Sequence, residues 1–216
     1  MKIVIIGAVA AGTSAAAKAR RNTEDAQITV YEKDRFISYS GCGMPYFLGG
    51  EVAHAEELTP RDPAFFLSKY NVEIKTEHEV LAVSPGTKSL SVKNLRTGEF
   101  FTDVYDKLIF ATGARAVTPP IPGRDLGHVF TLRNINDMLK IHAFLDEHKP
   151  KTAAIVGTGF IGLEMCENLR NLGVSVTLLE KLPQVTPGLD PDMAVHVEEH
   201  LKSSGGAVYT GASIQE

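Results

Sequence analysis

One local pattern occurs twice in the 216 residues, and this duplication limits the possible folds more than any other feature. The run KIVII (Lys2–Ile6) leads into the glycine-rich turn GAVAAG, then into good helix formers from Ala10 to about Arg21. ITVYEK (Ile28–Lys33) follows as a second strand with an acid, Glu32, near its end. The order recurs from Thr152: AAIV (Ala153–Val156), GTGFIG, the helix LEMCENLRNL, a stop at Gly173, and VSVTLLEK (Val174–Lys181) with Glu180 near its end. Short, nearly continuous apolar runs predict parallel strands buried on both faces. Two such β-α-β units predict an α/β fold with two Rossmann-like nucleotide-binding domains.

The intervening sequence reads differently. Val80–Asp106 is a set of short strands broken at Pro85-Gly86 and Thr97-Gly98, which predicts an antiparallel β-meander insertion. KLIFATGA (Lys107–Ala114) returns as a buried strand, and Pro119, Pro120 and Pro122 mark an extended linker. Asn134 is a candidate cap for a helix running to His148. Asp190-Pro191 predicts a further helix start and Gly205-Gly206 its stop. The last residues enter what reads as another strand. The expected division is therefore residues 1–150, with meander and linker, and 151–216, a truncated second domain.

A formal net charge of -4 argues against a nucleic-acid partner, which would meet a basic face. No stretch approaches the roughly 20 apolar residues that span a bilayer, so no membrane partner is expected. Gly7 and Gly12 interrupt the N-terminal apolar run, which lacks the order of a signal peptide. Cys42 and Cys166 are far apart and show no zinc spacing. The natural compartment on these grounds is a reducing cytoplasm. His196 and His200 share a helix face, but no third ligand accompanies them, so no metal site is expected.

The second glycine-rich turn is complete. Gly157 permits the tight turn, Gly159 lets a pyrophosphate approach the backbone, and Gly162 lets helix pack on strand. Glu180 stands about 20 residues on, where an acid accepts hydrogen bonds from a ribose. That acid favours NADH over NADPH, whose 2′-phosphate it would repel; Lys181 beside it keeps NADPH as the alternative. The first turn has Gly7 and Gly12 in the outer positions but Val9 in the middle, with Glu32 as the acid. Its alternative reading is an ordinary α/β unit with small residues for packing.

SYSGCGMPYFLGG places Cys42 between two glycines, shortly before Pro45 at a helix start. A thiol near a helix N-terminus favours its reactive thiolate form. Ser38 is a candidate hydrogen-bond donor to the sulfur or substrate. Without a neighbouring cysteine, oxidised Cys42 would be a mixed disulfide with a small thiol or a sulfenic acid. The competing reading is a buried apolar cysteine, the reading that suits Cys166 among Leu163, Met165 and Leu169.

GAVAAG, YEKDRFISYSGCGMPY, YDKLIFATGA, FTLRN and GTGFIGLE, in this order, resemble the coenzyme A-disulfide reductase branch of the single-cysteine flavoprotein disulfide reductases. The resemblance implies that Gly7, Val9, Gly12, Glu32 and Lys33 hold the ADP part of FAD, with Thr112, Gly113 and Arg133 near the flavin. It implies that Cys42 is the redox nucleophile, assisted by Ser38. NADH would then sit on Gly157, Gly159, Gly162 and Glu180, with Phe160 as a gate and Glu164 positioning the nicotinamide. Coenzyme A would lie near Ser14, Lys18, Arg21, Ser38 and Cys42. Each has a plainer alternative: Phe160 a core aromatic, Glu164 an acid in a first helical turn, and Lys18, Arg20 and Arg21 cations favoured at a helix end.

An NADH oxidase or peroxidase of the same superfamily is an alternative; those relatives carry a histidine where this chain has Ala10, which weakens the peroxidase reading and leaves a flavin oxidase open. Persulfide or polysulfide reduction is a further alternative, and so is a non-catalytic nucleotide-binding fragment of a larger enzyme. In the family, a C-terminal domain makes the homodimer and completes the active site with tyrosines from the partner.

Overall fold

β1 (Lys2–Ile6) lies inside a four-stranded parallel sheet of order β3-β2-β1-β7, with β2 at Gln27–Tyr31, β3 at Glu73–Lys75 and β7 at Lys107–Phe110. The computed structural model describes residues 1–215. Successive side chains of a strand point to opposite faces. Ile3 and Ile5 join Ala8, Ala16, Ile28, Val30 and Phe66 in one core, beside α1 (Ala10–Asn22) and α3 (Pro63–Tyr70). Val4 joins Tyr31, Leu90 and Val92 in another, under the meander. The apolar run is continuous because both faces are covered.

The meander is β4 (His78–Ser84), β5 (Ser89–Asn94) and β6 (Phe100–Val104), antiparallel throughout, with an irregularity between Val80 and Ala82. A polar anchor accompanies its apolar contact with the parallel sheet. The Tyr31 hydroxyl donates to Asp103 Oδ2 at 2.7 Å, the Lys2 ammonium pairs with Asp103 Oδ1, and the Lys2 N–H donates to Asp106 at 2.6 Å. Burial, then the Asp103 hydrogen bond, push the Tyr31 phenol well above its ordinary range. Burial alone would raise the Asp103 carboxyl, but hydrogen bonds from Lys2, Tyr31 and the Val104 N–H outweigh it and hold it low.

A second parallel sheet has the order β10-β9-β8, from β8 (Thr152–Val156), β9 (Ser175–Leu179) and β10 (Ala207–Tyr209). α5 (Phe160–Asn171) joins β8 to β9, and α6 (Pro191–Ser203) joins β9 to β10. α4 (Ile135–His148) begins where Asn134 accepts a hydrogen bond from the Asp137 N–H at 2.9 Å. Thus both β-α-β units, the meander and the capped helix form as the sequence predicts. β7, which ends at Phe110, and β8 are not buried on both faces as their apolar runs predict: Phe110 and Val156 are exposed.

Compactness divides the chain into Met1–Ser40 with Glu56–Ala114, and Gly41–Ala55 with the residues from Arg115 onward. This differs from a single division at residue 150. The short helix α2 (Met44–Leu48) buries Met44, Pro45, Phe47 and Leu48, and it packs on α4 and α5. Two elements lie where the sequence offered no pattern: α3, capped by Asp62 accepting from the Phe65 N–H at 2.8 Å, and the three-residue β3. β2 and β9 also end earlier than predicted, at Tyr31 and Leu179, because the acids that follow turn toward the glycine-rich loops.

Asp103→Ala strands a buried phenol and is expected to cost about 2 kcal/mol at neutral pH. Because the folded Asp103 carboxyl is held low, the charge-dependent part of its contribution is complete above the ordinary carboxylate range near pH 4 and is lost as pH falls through the folded value. Urea melts across that range should show the gap between wild type and variant narrowing at low pH to what the neutral Tyr31–Asp103 hydrogen bond retains; a constant gap would contradict the assignment.

Candidate functional site

In the first unit, Gly7 (φ 103°) turns the chain so that its N–H meets Tyr31 O at 2.8 Å. A Cβ on Gly7 would lie 2.2 Å from Ala111 O, and one on Gly12 would lie 1.7 Å from Gly7 O. Only glycine lets strand, loop and helix approach this closely. Val9 occupies the cap position of α1, whose carbonyl accepts from the Thr13 hydroxyl. Glu32 is buried and closes the loop: Oε2 accepts the Ala8 N–H at 2.8 Å and Oε1 the Asp34 N–H at 2.9 Å. Lys33 beside it is exposed.

The chain passes over Gly7 at Ala111 and continues to the exposed Thr112 and Gly113, the latter with φ 65°. Ser38, in the left-handed region at φ 48°, returns its N–H to Ala8 O at 2.9 Å. Thr112, Gly113 and Ser38 therefore come back to the first loop from distant parts of the sequence. Ser14, Lys18 and Arg21 are all exposed, at spacings that align them along one stripe of α1. Arg20 is different. Its guanidinium donates to Tyr70 O at 2.8 Å and Asn71 O at 2.7 Å, capping the end of α3.

The second unit repeats the loop geometry. Gly157 (φ 96°) donates to Leu179 O at 2.8 Å, and a Cβ on Gly162 would lie 2.2 Å from Gly157 O. Gly159 caps α5, and a Cβ there would meet nothing within 4 Å. The loop is open at the position where a pyrophosphate would approach. Glu180 Oε2 accepts both the Thr158 N–H (2.9 Å) and the Thr158 hydroxyl (2.8 Å), and Oε1 accepts the Leu182 N–H (2.9 Å). Burial opposes the charge, yet these donors, with the Lys181 N–H, prevail and hold the carboxyl below its ordinary range.

Phe160 is 72% exposed, which removes the core-aromatic reading. Glu164 lies one turn further along α5, partly buried. The Arg133 N–H donates to Asp137 at 3.0 Å in the run into α4. His196 and His200 lie on the exposed face of α6.

Cys42 is exposed in a 3-10 turn, Gly41–Gly43, directly before α2 and its first-turn Pro45. The buried-cysteine reading therefore does not apply to it. It applies to Cys166, which is 1% exposed and whose thiol burial pushes up. The seat of the Cys42 segment is close: a Cβ on Gly49 would lie 2.1 Å from Asn168 Oδ1. Asn168 itself is fully buried on α5, its amide donating to Glu164 O at 2.8 Å. Phe47 stacks beside the His142 ring at 4.9 Å. Thr158, Asn168 and the Gly49 approach escaped the sequence reading. Thr158 alone left a signal, a hydroxyl inside the glycine-rich turn.

The two loops predict different outcomes for one substitution. Gly12→Ala drives a Cβ into backbone and is expected to destabilise the first unit by more than about 3 kcal/mol. Gly159→Ala meets open space and should melt like wild type. Thermal melts of the two variants check the pair.

The chain matches the pyridine nucleotide-disulphide oxidoreductase family over residues 1–216. It is 40% identical over 202 residues to a coenzyme A disulfide reductase of Staphylococcus haemolyticus, an alignment covering 94% of this chain and 45% of that protein. It is 37% identical over 206 residues to an NADH oxidase of Methanocaldococcus jannaschii, covering 95% and 46%. Its fold superposes on an NAD-dependent persulfide reductase from A. fulgidus with a TM-score of 0.95 at 37% identity, covering 100% of this chain and 41% of that one. The chain thus spans under half the length of these relatives. It belongs to the pyridine nucleotide-disulphide oxidoreductases, a family of oxidoreductases that work with FAD and NAD(P)H.

Proposed function

We propose that the protein is a flavin-dependent NAD(P)H:disulfide oxidoreductase that reduces coenzyme A disulfide, or a related persulfide or polysulfide, through Cys42. The observation that carries this reading is an exposed, glycine-flanked cysteine in the same compact unit as a complete dinucleotide-binding loop. The similarity to a coenzyme A disulfide reductase and a persulfide reductase favours this substrate class. Localisation in the cytoplasm and a homodimer of the whole protein belong to the same proposal. Among the described residues no helix is long and apolar enough to cross a membrane.

The residues fit two dinucleotides. In each unit a glycine pair brings helix and loop together, and a buried carboxylate stands at the strand end where ribose hydroxyls can donate to it. Residues 1–150 would hold FAD through Gly7, Val9, Gly12, Glu32 and Lys33, with Thr112, Gly113 and Arg133 toward the flavin. Residues 151–216 would hold NADH through Gly157, Gly159, Gly162 and Glu180, with Phe160 and Glu164 toward the nicotinamide. The ionised Glu180 repels a 2′-phosphate, which places NADPH second. Bound FAD would supply a two-electron relay between nicotinamide and disulfide.

Cys42 acts as a thiolate. It attacks one sulfur of the substrate disulfide, forms a mixed disulfide and expels the other half as a thiolate that takes a proton. Two electrons and a second proton then release the remaining thiol and regenerate the Cys42 thiolate. The exposed stripe Ser14, Lys18 and Arg21, with Ser38, suits a ligand bearing several phosphates such as coenzyme A.

Anaerobic titration of the FAD-loaded protein with NADH tests the reading. Flavin absorbance should bleach in wild type and in Cys42→Ser alike. Coenzyme A disulfide turnover and the long-wavelength thiolate–flavin band should vanish in Cys42→Ser. Turnover retained by that variant would sink the assignment of Cys42.

A further inference from the structure

The two units, alike in backbone, treat their acids unequally. Glu32 and Glu180 are similarly buried, at 8% and 6% exposure. Glu32 accepts two hydrogen bonds, one on each oxygen, from Ala8 and Asp34 N–H groups. Glu180 accepts the corresponding pair from Thr158 and Leu182, and a third from the Thr158 hydroxyl on Oε2. The residue after the first glycine is Ala8 in one unit and Thr158 in the other, so this hydroxyl is a side-chain donor that the first unit lacks.

An ionised carboxylate has about four lone-pair sites, two on each oxygen. Glu32 therefore keeps one on each oxygen and can take both hydroxyls of a ribose diol. On Glu180, Oε2 is filled by the two Thr158 donors, and the Leu182 and Lys181 N–H groups draw on what remains, so less is left for a diol.

We infer that the Thr158 hydroxyl is a positioning and affinity-setting group that loosens the second dinucleotide site, leaving Glu180 with less acceptor capacity for a ribose diol than Glu32 has. The first unit then retains its dinucleotide as a resident cofactor, while the second lets go of one that must leave after each turnover. The low-lying Glu180 carboxyl agrees with this: the hydroxyl keeps the acid charged while it uses up acceptor capacity. The inference rests on the dinucleotide reading of both loops.

Calorimetric titration of the FAD-loaded protein with NADH tests it, with Thr158→Ala (reproducing Ala8), Thr158→Val (keeping the volume) and Thr158→Ser (keeping the hydroxyl). Removing the hydroxyl should lower the NADH Kd about fivefold, the scale of one ordinary net hydrogen bond, and slow NADH release measured by stopped flow. Thr158→Ser should stay close to wild type. The converse change, Ala8→Ser, should weaken retention of FAD on dilution or dialysis. An NADH Kd that is unchanged or higher in both hydroxyl-free variants overturns the inference, and so does FAD retention unmoved by Ala8→Ser if the Thr158 variants do not fold. Wild type that binds no NADH at all defeats the dinucleotide reading itself, a different failure.

Discussion

Each half of this fold depends on a carboxylate that accepts the backbone N–H groups of a glycine-rich turn. A tight turn between strand and helix leaves N–H groups pointing away from any strand or helix partner, and buried donors without acceptors are costly. Glu32 and Glu180 supply the acceptors. In doing so each draws together the residue after the first glycine and the residue two positions beyond itself. The end of one strand and the start of the crossover helix are thereby held as one object. The glycines make this geometry possible, since Gly7 and Gly157 reverse the chain at positive φ and Gly12 and Gly162 let the helix close on the loop. The acid gives the turn its electrostatic reason to persist.

This explains which parts of the fold could be read from the residues. Strand, turn, helix and acid follow one another within about thirty residues, and each leaves a local mark: an apolar run, glycines at fixed spacing, good helix formers, an acid at the strand end. The meander announced itself through turn residues, and α4 through its Asn134 cap. What stayed hidden depends on partners far away in sequence. Arg20 reads as a free cation at a helix end, yet it caps α3 across some fifty residues. β3 is three residues long and is defined by its pairing with β2 rather than by its own pattern. Gly49 looks like any loop glycine until Asn168 is found against it.

The candidate site divides along the same line. The sequence identifies Cys42, the glycines and both acids, because their chemistry is carried by residue type and spacing. Support for these groups comes from packing and could not be identified there. α2 is too short to be stable alone. It is held by four buried side chains and by the close approach of Gly49 to α5, so the turn carrying Cys42 inherits its position from a helix more than a hundred residues away. That helix also carries Phe160 and Glu164, and Asn168 bonds the carbonyl of Glu164 while lying against Gly49. The exposed thiol and the residues proposed to face a nicotinamide thus share one rigid support.

Duplication of a unit need not mean duplication of its task. In the first copy β1 is covered on both faces and has a partner on each edge. In the second, β8 pairs with β9 alone among the described residues, and Val156, Phe160 and Ile161 are left exposed around the loop. A single added hydroxyl, on Thr158, changes what the second acid can still accept without altering the turn that both acids stabilise. The shared backbone geometry is demanded by the turn, while the side chain after the first glycine is under no such demand. That is the position at which two copies of one nucleotide-binding unit can diverge in affinity and remain the same fold.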